Sequence, residues 1–172
     1  MQKTRSDPRV VLAGLVLAVL LTPCVARAQS TVFVVRHAER ADAGTKPPPG
    51  ADPDLSADGR ARAESLATML KDARIGQIFI TEFKRTRQTA EPLAKVLGVE
   101  PTVIAQKDVR ALVDRLQSIP GSVLIVGHSN TVPEIVKALG VAESISIAET
   151  EFDNLFIVLR SATPSLLRLH YR

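Results

Sequence analysis

TVFVVRHAER, Thr31 to Arg40, decides how this chain is read. Its apolar run, Val32-Phe33-Val34-Val35, breaks off at Arg36-His37, and Glu39 and Arg40 follow at once. Four residues, three of them valine, have the length and composition of a β-strand. No polar residue alternates within the run, so the strand is expected to be buried on both faces, as in a parallel sheet. Such a strand would carry an Arg-His pair to its carboxyl end, where open α/β sheets bind their ligands.

Upstream of that strand the chain reads as a targeting segment. Lys3, Arg5 and Arg9 form a positive n-region, Val10 to Leu21 an apolar stretch, and Ala26-Arg27-Ala28 a small-x-small cleavage site. The apolar stretch is short of the roughly 20 residues a membrane-spanning helix needs. Cys24 raises the alternative of a lipoprotein signal, but Pro23 before it fits a lipobox poorly. Residues 1–28 are therefore expected to be a cleaved signal peptide and residues 29–172 a single domain, placed in the periplasm or secreted. Of 172 residues, 22 are Lys or Arg and 18 Asp or Glu. Cleavage after Ala28 leaves 18 basic and 17 acidic residues, so the net charge of +4 falls to +1. Bulk charge then gives no reason to expect nucleic acid or an anionic membrane as partner. The only cysteine, Cys24, leaves with the signal, so a thiol nucleophile and a disulfide are both excluded from the mature chain.

Downstream, Ala41 to Pro53 is rich in glycine and proline and reads as a surface loop, either lining the site or merely connecting. Ser56 is placed to cap a helix, Asp58 lies in its first turn, and Leu66, Met69 and Leu70 mark its apolar face. Ile78 to Ile80 is a second buried strand. Thr81 to Ala90 leads into a helix through Leu93, Val96 and Leu97 that Gly98 ends. Pro101 to Ala105 is a third strand candidate, and Asp108 a cap for a helix over 109–117. Val123 to Val126 is a fourth strand, ending in Gly127-His128-Ser129-Asn130 before a helix with Pro133 in its first turn. Leu155–Leu159 and Leu166–Tyr171 flank Thr163-Pro164 as a hairpin, with Asn154 as a turn residue before it. The alternation predicts a three-layer α/β/α sandwich whose mostly parallel central sheet carries an antiparallel edge hairpin.

Three strand ends then carry the chemistry. The first delivers Arg36 and His37, the second Thr81 and Arg85, the fourth Gly127 to Asn130 at a helix N-terminus. If these strands are parallel neighbours, two guanidiniums, two imidazoles and backbone N–H groups converge. Guanidinium forks and helix N-termini suit a phosphate dianion. Imidazole can attack phosphorus or move a proton near neutral pH. Thr81, Ser129 and Asn130 either bind the phosphate or cap helices. Arg87 is a rival to Arg85. Arg40 and Lys84 read as solvated, and His170 as structural.

VVRHAER at Val34–Arg40, FKRTRQTAEPLA at Phe83–Ala94 and VGHSN at Val126–Asn130 resemble the motifs of the histidine phosphatase superfamily, the phosphoglycerate-mutase-like proteins, in order and spacing. The resemblance covers essentially all of the mature chain. It implies that His37 is the nucleophile that becomes phosphohistidine, and that Arg36, Arg85 and His128 hold the phosphoryl oxygens. It also implies that no metal or other cofactor is needed, the two arginines taking the place of a cation. The substrate would be a phosphorylated small molecule. The chain departs from mutases and many family phosphatases in lacking an insertion after the second arginine motif, where they carry a general acid. Glu82 is then the best candidate acid, ahead of Asp108, Glu39 and Glu149. With a good leaving group such as phosphorylated imidazole no acid is required, and in its compactness the chain resembles the small phosphohistidine phosphatases. A pocket that binds a phosphorylated ligand without turnover is the alternative from another class.

Overall fold

A computed structural model describes residues 30–42, 45, 48 and 50–172. The expected signal segment lies outside the described residues. The first strand, β1 (Ser30–Arg36), is followed by α1 (Ala57–Leu70), β2 (Ile75–Ile80), α2 (Lys84–Leu97), β3 (Thr102–Val103) and α3 (Val109–Gln117). Then come β4 (Ser122–Gly127), α4 (Thr131–Ala138), β5 (Asn154–Arg160) and β6 (Ser165–His170). The six strands form one sheet in the order β3-β2-β4-β1-β5-β6. The β3, β2, β4 and β1 strands run parallel, while β5 lies antiparallel to β1 and pairs with β6 as a hairpin. This is the expected α/β architecture with an antiparallel edge.

Alternation along β1 explains the three layers. Phe33 and Val35 face one side with Leu66 and Leu70 of α1 and Leu93 of α2. Val32 and Val34 face the other with Leu112 and Leu116 of α3 and Ile135 of α4. Each fully buried side chain of this size contributes about 1.5–3 kcal/mol. An uninterrupted apolar strand is what a sheet covered on both faces requires. Among the described residues no helix is long and apolar enough to cross a membrane.

Four local expectations are corrected. Met69 is 44% exposed rather than part of the apolar face of α1. It lies about 100° around the helix from the centre of the buried stripe Gly59, Ala63, Leu66, Ala67 and Leu70. The third strand shrinks to Thr102–Val103, because it is an edge strand paired only with β2. Asp108 precedes α3 without a side-chain capping bond. Asn154 is no turn residue: it begins β5 with 1% exposure, and its Oδ1 accepts from Arg168 Nε at 2.7 Å. By contrast, Ser56 caps α1 by accepting from the Gly59 N–H, and Gly98 ends α2 at a φ of 65°.

Candidate active site

The sheet order makes β2, β4 and β1 adjacent, and their registers align the three strand ends. Arg36 lies opposite Gly127, and Ile80 opposite Val126. Thr81, His128 and His37 therefore leave the sheet side by side. The His37 and His128 rings meet edge to face with centroids 5.3 Å apart.

His37 is buried, and its Nδ1 lies 2.8 Å from the Ala38 carbonyl oxygen. A carbonyl only accepts, so Nδ1 carries the proton and Nε2 the lone pair. Burial pushes the imidazole down to about 3. The bond to Ala38 opposes that shift, while His128 and the charges of Arg85 and Arg36 reinforce it. The ring is thus a neutral imidazole of fixed tautomer, with its lone pair on Nε2.

His128 is set by the same reasoning. Its Nδ1 is 3.4 Å from Arg85 Nη2 and its Nε2 is 3.0 Å from Thr81 Oγ1. Arginine only donates, so Nδ1 accepts and Nε2–H donates to Thr81. The Thr81 hydroxyl passes to Thr86 Oγ1 at 3.1 Å, and the Thr86 hydroxyl donates to the Phe83 carbonyl at 2.8 Å. Burial, and after it the charge of Arg85, hold His128 down at about 4, with Glu82 opposing.

Both guanidiniums are partly desolvated, which lowers each from the ordinary arginine value. Arg36 stacks on Phe152 at 4.1 Å, and its Nη1 donates to the carbonyls of Ala148, Glu149 and Glu151. Its Nη2 pairs with Glu149 at 3.1 Å. Arg85 stacks on Phe83 at 4.1 Å and faces Asp52 at 3.6 Å. In each guanidinium the buried Nε–H has no acceptor among the described residues. An anion between them would meet two cations and at least one N–H in search of a partner.

Over residues 32–110 the sequence matches the family model of the histidine phosphatase superfamily (branch 1). That stretch, which carries Arg36, His37 and Arg85, is similar to the histidine phosphatase superfamily. A sequence search of curated proteins returns no match. Solved structures share the fold at low identity. A SixA protein from Agrobacterium tumefaciens is 21% identical, with 81% of this chain and 97% of that one covered at a TM-score of 0.60. The protein histidine phosphatase SixA complexed with tungstate is 21% identical, with 81% and 96% covered at 0.66. A mycobacterial glucosyl-3-phosphoglycerate phosphatase in complex with VO3 is 13% identical, with 83% and 99% covered at 0.68.

Within this histidine phosphatase fold the remaining sequence candidates fall as follows. Arg85, not Arg87, points into the site, since Arg87 is 53% exposed and pairs with Glu100. The Thr81 hydroxyl is occupied by His128 and Thr86. Ser129 donates to Glu149 at 3.0 Å. Asn130 precedes α4 without a capping bond, and its Oδ1 accepts from Gln106 at 3.3 Å. The cap-like contact at this turn comes from Thr131, whose Oγ1 accepts the His128 N–H. The Glu82 carboxylate accepts the Gln106 backbone N–H at 2.8 Å and bonds to no other residue of the site. Glu39 is held by Arg62, and His170, at the end of the edge strand β6, pairs with Asp153. The loop after β1 lines the site on its returning limb, where Asp52 accepts the Lys84 N–H at the start of α2 and faces Arg85. Sequence reasoning missed Asp52, Phe83 and Phe152. Phe83 lay inside a quoted motif, whereas nothing local marked Phe152.

Proposed function

We propose that this chain is an exported, metal-independent phosphatase that hydrolyses phosphomonoesters through a phosphohistidine on His37. The observation that carries the reading is the His37 Nδ1–H bond to Ala38, which leaves Nε2 unprotonated in a pocket it shares with the buried Arg36 and the half-buried Arg85. A phosphoryl group bound by Arg36, Arg85 and His128 would present phosphorus to that lone pair. Charge on its equatorial oxygens would be met by the two arginines, the task phosphoryl transfer sets a protein. Attack by His37 and then by water are two in-line displacements, with retention at phosphorus overall. Two of the similar structures were solved with the oxyanions tungstate and VO3, ligands this pocket chemistry also suits.

Export rests on the pattern of residues 1–28 and gives a mature N-terminus at Gln29. A second reading, hydrolysis of phosphohistidine, draws support from the short stretch between α2 and α3, which holds β3 and no insertion. Imidazole leaves phosphorus without a cap-borne acid.

The test uses protein recovered from the envelope fraction or medium, its N-terminus read by sequencing, assayed with an aryl phosphate in EDTA. Turnover is expected in the wild type and none in His37→Ala, with acid-labile phosphate on the wild type only. Equal turnover in the two proteins, or binding without a labelled intermediate, refutes the catalytic reading. Activity lost in EDTA and restored by a divalent metal refutes metal independence.

A further inference from the structure

Of the carboxylates around the strand ends, most are committed elsewhere. Glu39 is gripped by Arg62, Asp42 by Arg40, Asp52 by the Lys84 N–H, and Glu82 by the Gln106 N–H. Glu149 differs, because both its partners belong to the pocket. Its Oε2 accepts from Arg36 Nη2 at 3.1 Å and its Oε1 from the Ser129 hydroxyl at 3.0 Å. Its side chain is nevertheless 83% exposed, with solvent rather than protein around its other faces. Its backbone is fixed. Arg36 Nη1 gathers the carbonyls of Ala148, Glu149 and Glu151, and the Glu151 carboxylate accepts the Ala148 N–H at 2.9 Å. An exposed carboxylate thus stands on a rim tied down by Arg36, holding the donors that a phosphoryl oxygen needs.

We propose that Glu149 is the proton donor to the leaving group, an inference that rests on the phosphatase reading above. A phosphoryl dianion at His37 competes with Glu149 for Arg36 Nη2 and Ser129 Oγ. Once displaced, the carboxylate is released from both donors and lies beside the bound ester. It takes a proton from solvent and stands beside the ester oxygen. In the first step the His37 Nε2–P bond forms and the P–O bond breaks. The leaving oxygen takes the Glu149 proton and departs as an alcohol. In the second step water attacks phosphorus, gives its proton to the Glu149 carboxylate, and the P–N bond breaks. Inorganic phosphate leaves, Glu149 returns its proton to solvent and re-forms its bonds to Arg36 and Ser129, and His37 regains its Nε2 lone pair. Nδ1–H stays on the Ala38 carbonyl throughout.

An acid matters in proportion to how poor the leaving group is. The experiment compares kcat/KM of wild type, Glu149→Gln and Glu82→Gln on nitrophenyl phosphate and on a simple alkyl phosphate. Glu149→Gln is expected to lose about 10²–10³-fold on the alkyl ester, the usual worth of a general acid. It should stay within a few-fold of wild type on the nitrophenyl ester, which also shows that the variant is folded. Equal losses on the two esters would overturn the proposal and make Glu149 a positioning residue for Arg36. No loss on either would overturn it too, as would a leaving-group split produced by Glu82→Gln instead. A wild-type protein inert on both esters would overturn the phosphatase reading itself, and this inference with it.

Discussion

His37 and His128 are neutral because burial outweighs every contact that would favour their charged forms. That has a consequence for stability. In the unfolded chain both imidazoles titrate near 6.5, whereas in the fold they stay neutral down to about 3 and about 4. Between those values the unfolded state binds more protons, so stability rises with pH and falls as the solution is acidified. From pH 7 to pH 5 each histidine should cost about 2 kcal/mol, a loss that stops growing below the folded values. Urea unfolding at pH 7, 6 and 5 measures it, and His37→Gln should roughly halve the slope. A wild type equally stable at pH 7 and 5 would contradict the neutral, buried pair. The position of both histidines was legible, because each directly follows an apolar strand. Their tautomers were not, since these depend on the Ala38 carbonyl and on Thr81, whose hydroxyl chain through Thr86 only the folded backbone assembles.

The join between β1 and α1 shows how an element holds His37 in place. The Ser56 N–H donates to the Glu39 carbonyl at 2.9 Å, two residues beyond His37. The first turn of α1 presses on the same carbonyl, and a Cβ built at Gly59 would overlap it. Both contact atoms are backbone, so no side chain can move aside. Gly59→Ala should therefore cost about 1–3 kcal/mol, as overpacking does, against the small gain expected for Gly→Ala in an open helix. The midpoint of urea denaturation decides between these signs, and a stabilised variant would mean that α1 sits further from β1 than described. In the sequence Gly59 looked like an ordinary helical glycine. Ser56 was recognisable because capping is a local property, whereas the need for glycine comes from a neighbour 20 positions earlier. Asp52 escaped notice for a related reason: it caps α2 from a loop that precedes α1.

Long-range closure ties the end of the chain to its beginning. The Arg36 side chain reaches carbonyls more than a hundred residues later, and Arg62 joins Glu39 to the Tyr171 carbonyl at 2.9 Å. No periodicity or motif encodes such pairs, which is why the parallel sheet and its edge hairpin could be anticipated and the 148–152 rim could not. Tyr171 is the last anchor. Its ring fills the core between the sheet and α1, and its N–H donates to Asp153. Its hydroxyl, however, is buried with no partner among the described residues, and burial holds the phenol above its ordinary value. If the clamp works through ring and backbone, the hydroxyl is a burden that phenylalanine would remove. Tyr171→Phe should then raise stability by about 1 kcal/mol, the order of the cost of one unpaired buried polar group. Tyr171→Ala should lose about 3–5 kcal/mol through the cavity it leaves. Thermal unfolding of the two variants separates the contributions. A Tyr171→Phe protein as weakened as the alanine variant would mean that the hydroxyl, not the ring, holds the chain end against α1.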